Sequence, residues 1–357
     1  MSEAGDPQVA RTQNEPLLAA RDLTRTFQVG GFGHRQTLHA VDGATFEIGK
    51  GEILALVGES GSGKSTIARL LARVYRPTAG EIFFHGRPVS ALRGRQAELR
   101  YRAAVPMVFQ DPFSSLNPAY RVSHGILRGM KLHRQDIAPA DRMDEAARLL
   151  ELSGLRPGRE ILQRYPYELS GGQRQRIGFA QALTYRPEVI LADEPVSMLD
   201  ISIRIGLLNV MARMRDQEGV SLLYITHDIA SARYIADRMM VMYAGRVVES
   251  GPVEAVLSEP RHPYTQLLVA AVPDPRAELR VTAEMTKGEP PKVIDPVPGC
   301  RFADRCPLVR DVCRSVTPPL LELAPRIQVA CHVAAEEAGQ GERSRSGAEA
   351  DSAAQVA

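Results

Sequence analysis

The apolar positions of residues 52–58 (EILALVG) are continuous rather than alternating, the pattern of a short strand covered on both faces. Directly beyond, Ile67, Leu70, Leu71 and Val74 fall at i, i+3, i+4 and i+7, which predicts one buried face of a helix, ended by Pro77. Ahead of the run, from Leu17 to about Val57, the pattern suits strands, with residues 40–48 (AVDGATFEI) alternating apolar with small or polar. Two more continuous apolar runs, residues 189–193 (VILAD) and 220–227 (VSLLYITH), follow with helical segments between them. Strands alternating with helices predict an α/β fold around a largely parallel sheet. The stretch from about 120 to 185 interrupts that alternation. It reads as mostly helical, with Met143, Ala146, Ala147 and Leu150 at the helical period, and predicts an inserted helical subdomain.

The ends have a different texture. Residues 1–16 are polar, lack the apolar centre of a signal peptide and are expected to be disordered. Prolines and charges crowd residues 272–298, as in a linker. Residues 336–357 are small and polar, too poor in apolar surface to offset ordering entropy, and are expected to form a disordered tail. The chain is 357 residues long, 44% hydrophobic, with a net charge of +2, which suits a globular protein and not a dedicated polyanion binder. No apolar stretch approaches the roughly 18–20 residues that cross a bilayer. The protein is therefore expected in the cytosol, with any membrane association supplied by a partner.

Candidate chemistry sits where the strands end. Residues 58–66, Gly58, Glu59, Ser60, Gly61, Ser62, Gly63, Lys64, Ser65 and Thr66, fit the P-loop pattern between a buried strand and a helix. Glycines let such a loop curl so that its N–H groups converge on phosphate oxygens, and the helix N-terminus favours the anion. Lys64 is placed to reach the β- and γ-phosphates, and the Ser65 hydroxyl to ligate Mg²⁺. The 189–193 run ends in two acids: Asp193 to help hold Mg²⁺, and Glu194 to polarise the attacking water. ATP and Mg²⁺ are the expected cofactors.

Further motifs, in order along the chain, resemble the ABC ATPase family. Ser170, Gly171, Gly172 and Gln173, after Leu169, match its signature; Gln110 in VFQDP looks like the Q-loop glutamine; Ser197 to Asp200 resembles the D-loop; His227 in ITHD resembles the switch histidine; Phe27 looks like the aromatic that stacks on adenine. The match runs from about Leu17 to Pro260. The resemblance implies a P-loop NTPase core with an inserted helical subdomain and an antiparallel β part. It implies catalytic roles for Glu194, His227 and Gln110, with Gln110 also sensing Mg²⁺. It further implies that the Ser170 helix faces the nucleotide of a second cassette, so that ATP joins two ATPase domains and hydrolysis parts them. Met198 departs from the alanine usual in the D-loop, a position that packs at the dimer interface.

The stretches FQDPFSSLNP (109–118) and RHPYTQLLVAAVP (261–273), with the C-terminal segments PGCRFADRCPLVRDVCR (298–314) and VACH (329–332), resemble the oligopeptide, dipeptide and nickel importers, in the form of their second ATPase. This implies an ATPase domain over 17–260 and an extension over 261–335. The implied partners are a paralogous or identical second ATPase, two transmembrane permeases and, indirectly, an extracytoplasmic solute-binding protein, placing the chain at the cytoplasmic face of the membrane. Peptides are the implied cargo, with nickel or oligosaccharide as related solutes.

All four cysteines, Cys300, Cys306, Cys313 and Cys331, lie in the extension, separated by five, six and seventeen residues. Those gaps do not fit the close pairs of a standard zinc site; four thiolates in a loop-rich segment suit a [4Fe–4S] cluster, with zinc or a metal-free buried set as alternatives. An exporter cassette would not be expected to carry such an extension. A non-transport ABC ATPase would bring a second cassette or a long coiled coil, and about a hundred residues without sustained heptads separate P-loop and signature here. The basic cluster Arg93, Arg95, Arg100 and Arg102 reads as a solvated face, not a nucleic-acid surface.

Overall fold

The computed structural model describes residues 15–30, 35–111, 116–271 and 293–339. The expected disordered ends and linker fall mainly on residues 1–14, 340–357 and 272–292, outside the described residues, as do residues 112–115 of the FQDP segment.

Strands β1 (Leu18–Val29), β2 (Gln36–Ile48) and β3 (Ile53–Val57) lead to helix α1 (Lys64–Leu71), then β4 (Ala79–Phe84) and β5 (Arg87–Pro88). Strand β1 pairs antiparallel with both β2 and β4, giving a four-stranded sheet in the order β2-β1-β4-β5. Helix α2 (Gly94–Ala104) and β6 (Met107–Val108) come next. The helical stretch follows: α3 (Val122–His133), α4 (Arg142–Leu152), α5 (Gly158–Gln163) and α6 (Gly171–Leu183). The chain then alternates as β7 (Val189–Asp193), α7 (Ile201–Glu218), β8 (Ser221–Thr226), α8 (Ile229–Ile235), β9 (Arg238–Tyr243) and β10 (Arg246–Pro252).

The second sheet runs β11-β12-β10-β9-β3-β8-β7-β6, where β11 is Leu321–Ala324 and β12 is Ile327–Val329. Its centre, β9-β3-β8-β7-β6, is parallel, as the continuous apolar runs require. Alternate side chains of each run enter different cores. Ile53, Ala55 and Val57 face a core with Ile126, Leu150, Phe179 and Met211 of the helices. Leu54 and Leu56 face one with Leu18, Val41 and Ile48 of the antiparallel sheet and Ile67 of α1. Each of these runs therefore lies between two apolar layers.

The last part contains α9 (Val253–Ser258), α10 (Pro263–Ala270), α11 (Asp311–Ser315), β11 (Leu321–Ala324) and β12 (Ile327–Val329), with a helix over 332–339. Strand β12 pairs with β10 and β11, so this segment extends the main sheet instead of standing apart. Residues 293–295 lie along β2, with Val293 O accepting from His39 N at 2.8 Å and Asp295 N donating to Thr37 O at 2.9 Å.

One expectation changes, and one helix is added to those read from the sequence. Val74 does not share the buried face of α1: the helix ends at Leu71, Arg73 turns to φ +55°, and Val74 is 57% exposed. Once the chain leaves the helical path, the fourth apolar position no longer follows the first three. Helix α2 was hidden by its polarity. Tyr101 is its buried residue, with its hydroxyl donating to Leu71 O at 2.6 Å, while Arg93, Arg95, Arg100 and Arg102 are exposed. Among the described residues no helix is long and apolar enough to cross a membrane.

Candidate active site

Strand β3 delivers the glycine-rich loop to the carboxyl ends of the parallel strands, where ligands of open α/β sheets bind. The loop cannot take larger residues where it turns into α1. Gly63 has φ +103°, and a Cβ there would lie 2.2 Å from Ala40 O. Position 58 is as tight, with Met242 O 2.2 Å from a Cβ. Lys64 folds its ammonium back across the loop, donating to Gly58 O at 2.7 Å and Glu59 O at 2.8 Å. Burial lowers its pKa, and the carboxylates of Glu194, Asp193 and Glu59 partly offset this. Ser65 Oγ donates to Asp193 Oδ1 at 2.8 Å. Burial pushes the Asp193 carboxyl up, against the stabilising Ser65 bond. A hydroxyl and a carboxylate side by side are hard oxygen donors suited to Mg²⁺.

Glu194 stands at the meeting point of three strand ends. Its backbone takes φ +46°, rare for a residue with a side chain, and its N–H donates to Ile225 O at 3.0 Å. Oε2 accepts from Gln110 Nε2 at 3.2 Å and lies 3.4 Å from His227 Nδ1. Gln110 Nε2 also contacts Ser197 Oγ at 3.2 Å, and that hydroxyl donates to Glu194 O at 3.0 Å. Residues 84 and 33 positions from Glu194 are thus brought to one carboxylate oxygen by strands β6 and β8 flanking β7. A carboxylate gripped on both sides can orient and deprotonate a water only in a defined direction.

A cavity of about 1130 Å³ opens over the loop, lined by Glu59, Ser60, Gly61, Gly63, Lys64, Ser65 and Thr66 and by Gln110 and Glu194. Phe27 lines its far wall. It packs edge-on against Tyr75 with ring centroids 5.4 Å apart, and the Arg25 guanidinium lies 4.6 Å from its centroid. Tyr75, Val29, Leu38, Val293 and Ile294 complete that apolar wall, and none was singled out from the sequence. Tyr75 lies past the end of the helical stripe, and Val293 and Ile294 arrive from the far side of the linker segment.

Other predicted residues lie elsewhere. Ser170 is exposed and caps α6: its Oγ accepts from Gln173 N at 3.3 Å, and Gln173 Oε1 accepts from Ser170 N at 2.9 Å. Gly171 and Gly172 form the first turn of that helix, and a Cβ at Gly172 would meet Ile203 Cγ2 at 2.5 Å. These signature residues do not line the cavity of the same chain. Asp200 opens α7 and is exposed, as is Met198 beside it.

Cys300, Cys306, Cys313 and Cys331 line one small cavity with His262 and Phe302. All four are free thiols. Burial pushes Cys300 up to about 11 and raises Cys306 and Cys331, and the neighbouring cysteines push each in the same direction. Among the described residues no three His, Cys, Asp or Glu side chains are placed to hold a metal ion. The expectation of an iron–sulfur cluster is therefore not supported by the side-chain arrangement: the cysteines gather, and the space between them, about 10 Å³, has room for about one water.

Fold and site together define a P-loop ATPase. The family described as ABC transporter matches residues 41–197, and the oligopeptide/dipeptide transporter C-terminal region matches residues 248–313. The oligopeptide transport ATP-binding protein AppF of Bacillus subtilis is 41% identical over 324 residues, covering 89% of this chain and 98% of its own length. The dimeric ATP-binding cassette MJ0796, in a post-hydrolysis state bound to ADP and Pi, superposes with a TM-score of 0.58 at 26% identity, covering 66% of this chain and 98% of that one. CbiO1 from Clostridium perfringens, part of the transporter complex cbiONQ, gives 0.60 at 25% identity, covering 69% and 92%. The chain belongs to the ABC transporter family of ATP-binding proteins, and its activity is that family's ATP hydrolysis.

Proposed function

We propose that this chain is the ATPase subunit of an ABC importer for peptides, acting as one half of a two-cassette nucleotide sandwich at the cytoplasmic face of the membrane. The observation that carries the hydrolytic part is the convergence of Gln110 and His227 on Glu194 Oε2 beside Lys64, Ser65 and Asp193. In this reading Phe27 stacks on adenine, the loop 58–66 cradles the phosphates, Ser65, Asp193 and Gln110 hold Mg²⁺, and Glu194 with His227 directs the water. The import of peptides rests on the names of relatives such as AppF and on the matched C-terminal region. Nickel or oligosaccharide would be read by a solute-binding protein and two permeases working with the same cassette. Cells lacking this chain should lose uptake of labelled oligopeptides; undiminished uptake of every peptide length would end the peptide reading.

The division into an ATPase domain over 17–260 and an extension over 261–335 belongs to the same proposal. So does the sandwich, which is supported by the position of Ser170: its helix N-terminus is exposed and outside its own chain's cavity, free to meet a nucleotide held by another cassette. The partner cassette is paralogous or a second copy, and Asp200 is exposed as Ser170 is. Ser170→Arg should leave ATP binding to the 58–66 loop unchanged but lower hydrolysis by the assembled transporter about 100-fold, since oriented donors at a phosphate act mainly in the transition state. Equal rates would remove Ser170 from the site.

For the extension, an iron–sulfur segment remains the finer reading. Its support is chemical: four soft thiols line one small cavity without a bond pairing any two. The side chains would have to turn outward to seat a cluster. Such a group would supply a rigid crosslink of the loops bearing Cys300, Cys306, Cys313 and Cys331. Anaerobically purified protein should be brown and hold about four iron atoms per chain; colourless, iron-free protein would overturn the assignment.

A further inference from the structure

The cysteine-bearing segment reaches the nucleotide loop through one side chain. Arg305 sits in the short turn over 303–305, between Cys300 and Cys306. Its guanidinium forks onto the Glu59 carboxylate, Nη1 to Oε2 and Nη2 to Oε1, both at 3.1 Å. The fork is held from behind: its carbon lies 5.7 Å from the Tyr243 ring centroid and 5.8 Å from that of Phe302, and Nη1 is 3.4 Å from the Tyr243 hydroxyl. The two side chains are only 13% and 25% exposed, so solvent screens the pair weakly.

A second bond from the C-terminal region fixes the same residue. The Glu59 N–H donates to the Tyr264 hydroxyl at 2.9 Å. Tyr264 is held in place by a buried bracket: Glu249 accepts from Arg261 N and His262 N at 2.9 Å each, and His262 Nδ1 accepts from Tyr264 N at 3.0 Å at the start of α10. The Glu59 carbonyl meanwhile accepts from Lys64 Nζ. Glu59 is thus tied at its N–H by α10, at its carbonyl by the lysine of the cradle, and at its carboxylate by the cysteine segment.

The carboxylate matters because Glu59 lines the cavity proposed as the seat of a triphosphate, and its charge is felt at Lys64. An unpaired negative charge beside that loop repels the ligand through a poorly screened medium. We propose that Arg305 is a positioning residue for nucleotide binding that acts through Glu59: its guanidinium cancels a carboxylate that would otherwise oppose ATP at the phosphate loop. The inference deepens the reading of residues 58–66 as the nucleotide cradle and depends on it. It also makes the cysteine segment part of the ATP site, because the turn that presents Arg305 is bounded by two of the four thiols.

Mg²⁺-ATP binding to the full chain, measured by calorimetry, separates the outcomes. Arg305→Gln should raise the Kd for ATP about tenfold, with kcat at saturating ATP within about twofold. Removing the exposed charge as well, in Glu59→Gln with Arg305→Gln, should bring Kd back to within about threefold of the parent. A purely structural brace predicts the opposite, a double variant at least as weak as the single one, and that result would overturn the inference, as would an unchanged Kd in Arg305→Gln. Melting curves are recorded in parallel. If Arg305→Gln does not fold, Arg305→Lys decides: it keeps the charge and loses the fork, so Kd should stay within about threefold, and a tenfold loss would exclude charge cancellation. Failure of the parent chain itself to bind ATP would instead count against the cradle.

Discussion

Glu194→Gln is expected to lower kcat for ATP hydrolysis about 10³-fold while leaving ATP affinity within about twofold, the magnitude for loss of a general base. The substitution keeps the shape and one oxygen of the side chain, so the contact from Gln110 Nε2 can persist. What it removes is the negative charge proposed to take or align the proton of the attacking water. The surroundings argue that this charge is used. An amide donor that follows β6 and an imidazole that follows β8 meet one carboxylate oxygen, and the backbone of Glu194 holds a left-handed conformation that costs about 1–3 kcal/mol wherever it occurs. A surface acid has no such requirements. With ATP bound and unhydrolysed, the variant should accumulate a closed pair of cassettes, visible as an ATP-dependent increase in size of the purified ATPase assembly. Hydrolysis at the parental rate would remove Glu194 from the chemistry and leave the meeting of Gln110 and His227 without a purpose.

The parts of this site that could be read from the sequence are those dictated by local rules. A glycine-rich loop between a continuous apolar run and a helical stripe has few other solutions, and Gly63 shows why: its position excludes a side chain by both φ and space. The same holds for Ser170, whose capping box with Gln173 is a four-residue pattern. The illegible parts depend on distant segments meeting. Tyr75, just past the end of α1, joins the wall begun by Phe27 of β1, which the sequence singles out, and Val293 reaches the same wall some 250 residues after His39, to which it bonds. Arg305 is one arginine among several in a cysteine-rich segment, and only the packing of Tyr243 and Phe302 behind it shows that it is held on Glu59. Helix α2 was missed because its single buried tyrosine leaves no stripe to detect. The cysteines were read as gathered, and they are, but their side chains are not arranged around a metal. Spacing predicts neighbourhood well and coordination geometry poorly, because the latter turns on rotamers.

Lys64→Ala should weaken ATP binding itself, by about 100-fold in Kd, or about 3 kcal/mol, as expected for a charge-assisted bond lost from a largely desolvated site. Lys64 is 4% exposed, and its ammonium is already committed to Gly58 O and Glu59 O before any nucleotide arrives. The variant therefore loses two things at once. The phosphates lose a cation whose field would act in a low-dielectric cleft beside Asp193 and Glu194. The loop loses the clasp that keeps its two first carbonyls turned inward, and those carbonyls then face the incoming anion without a donor between them. Lys64→Arg tests the second loss apart from the first. It restores charge, but its planar fork does not suit two carbonyls converging on one ammonium nitrogen. Affinity should therefore recover only in part, and the kcat of the arginine variant should stay well below the parent. The contrast with Glu194→Gln makes the pair of experiments informative: one variant binds without turning over, the other fails to bind. Parental ATP affinity in Lys64→Ala would mean that the triphosphate lies elsewhere, since no ligand seated in this loop could be indifferent to the removal of its one buried cation.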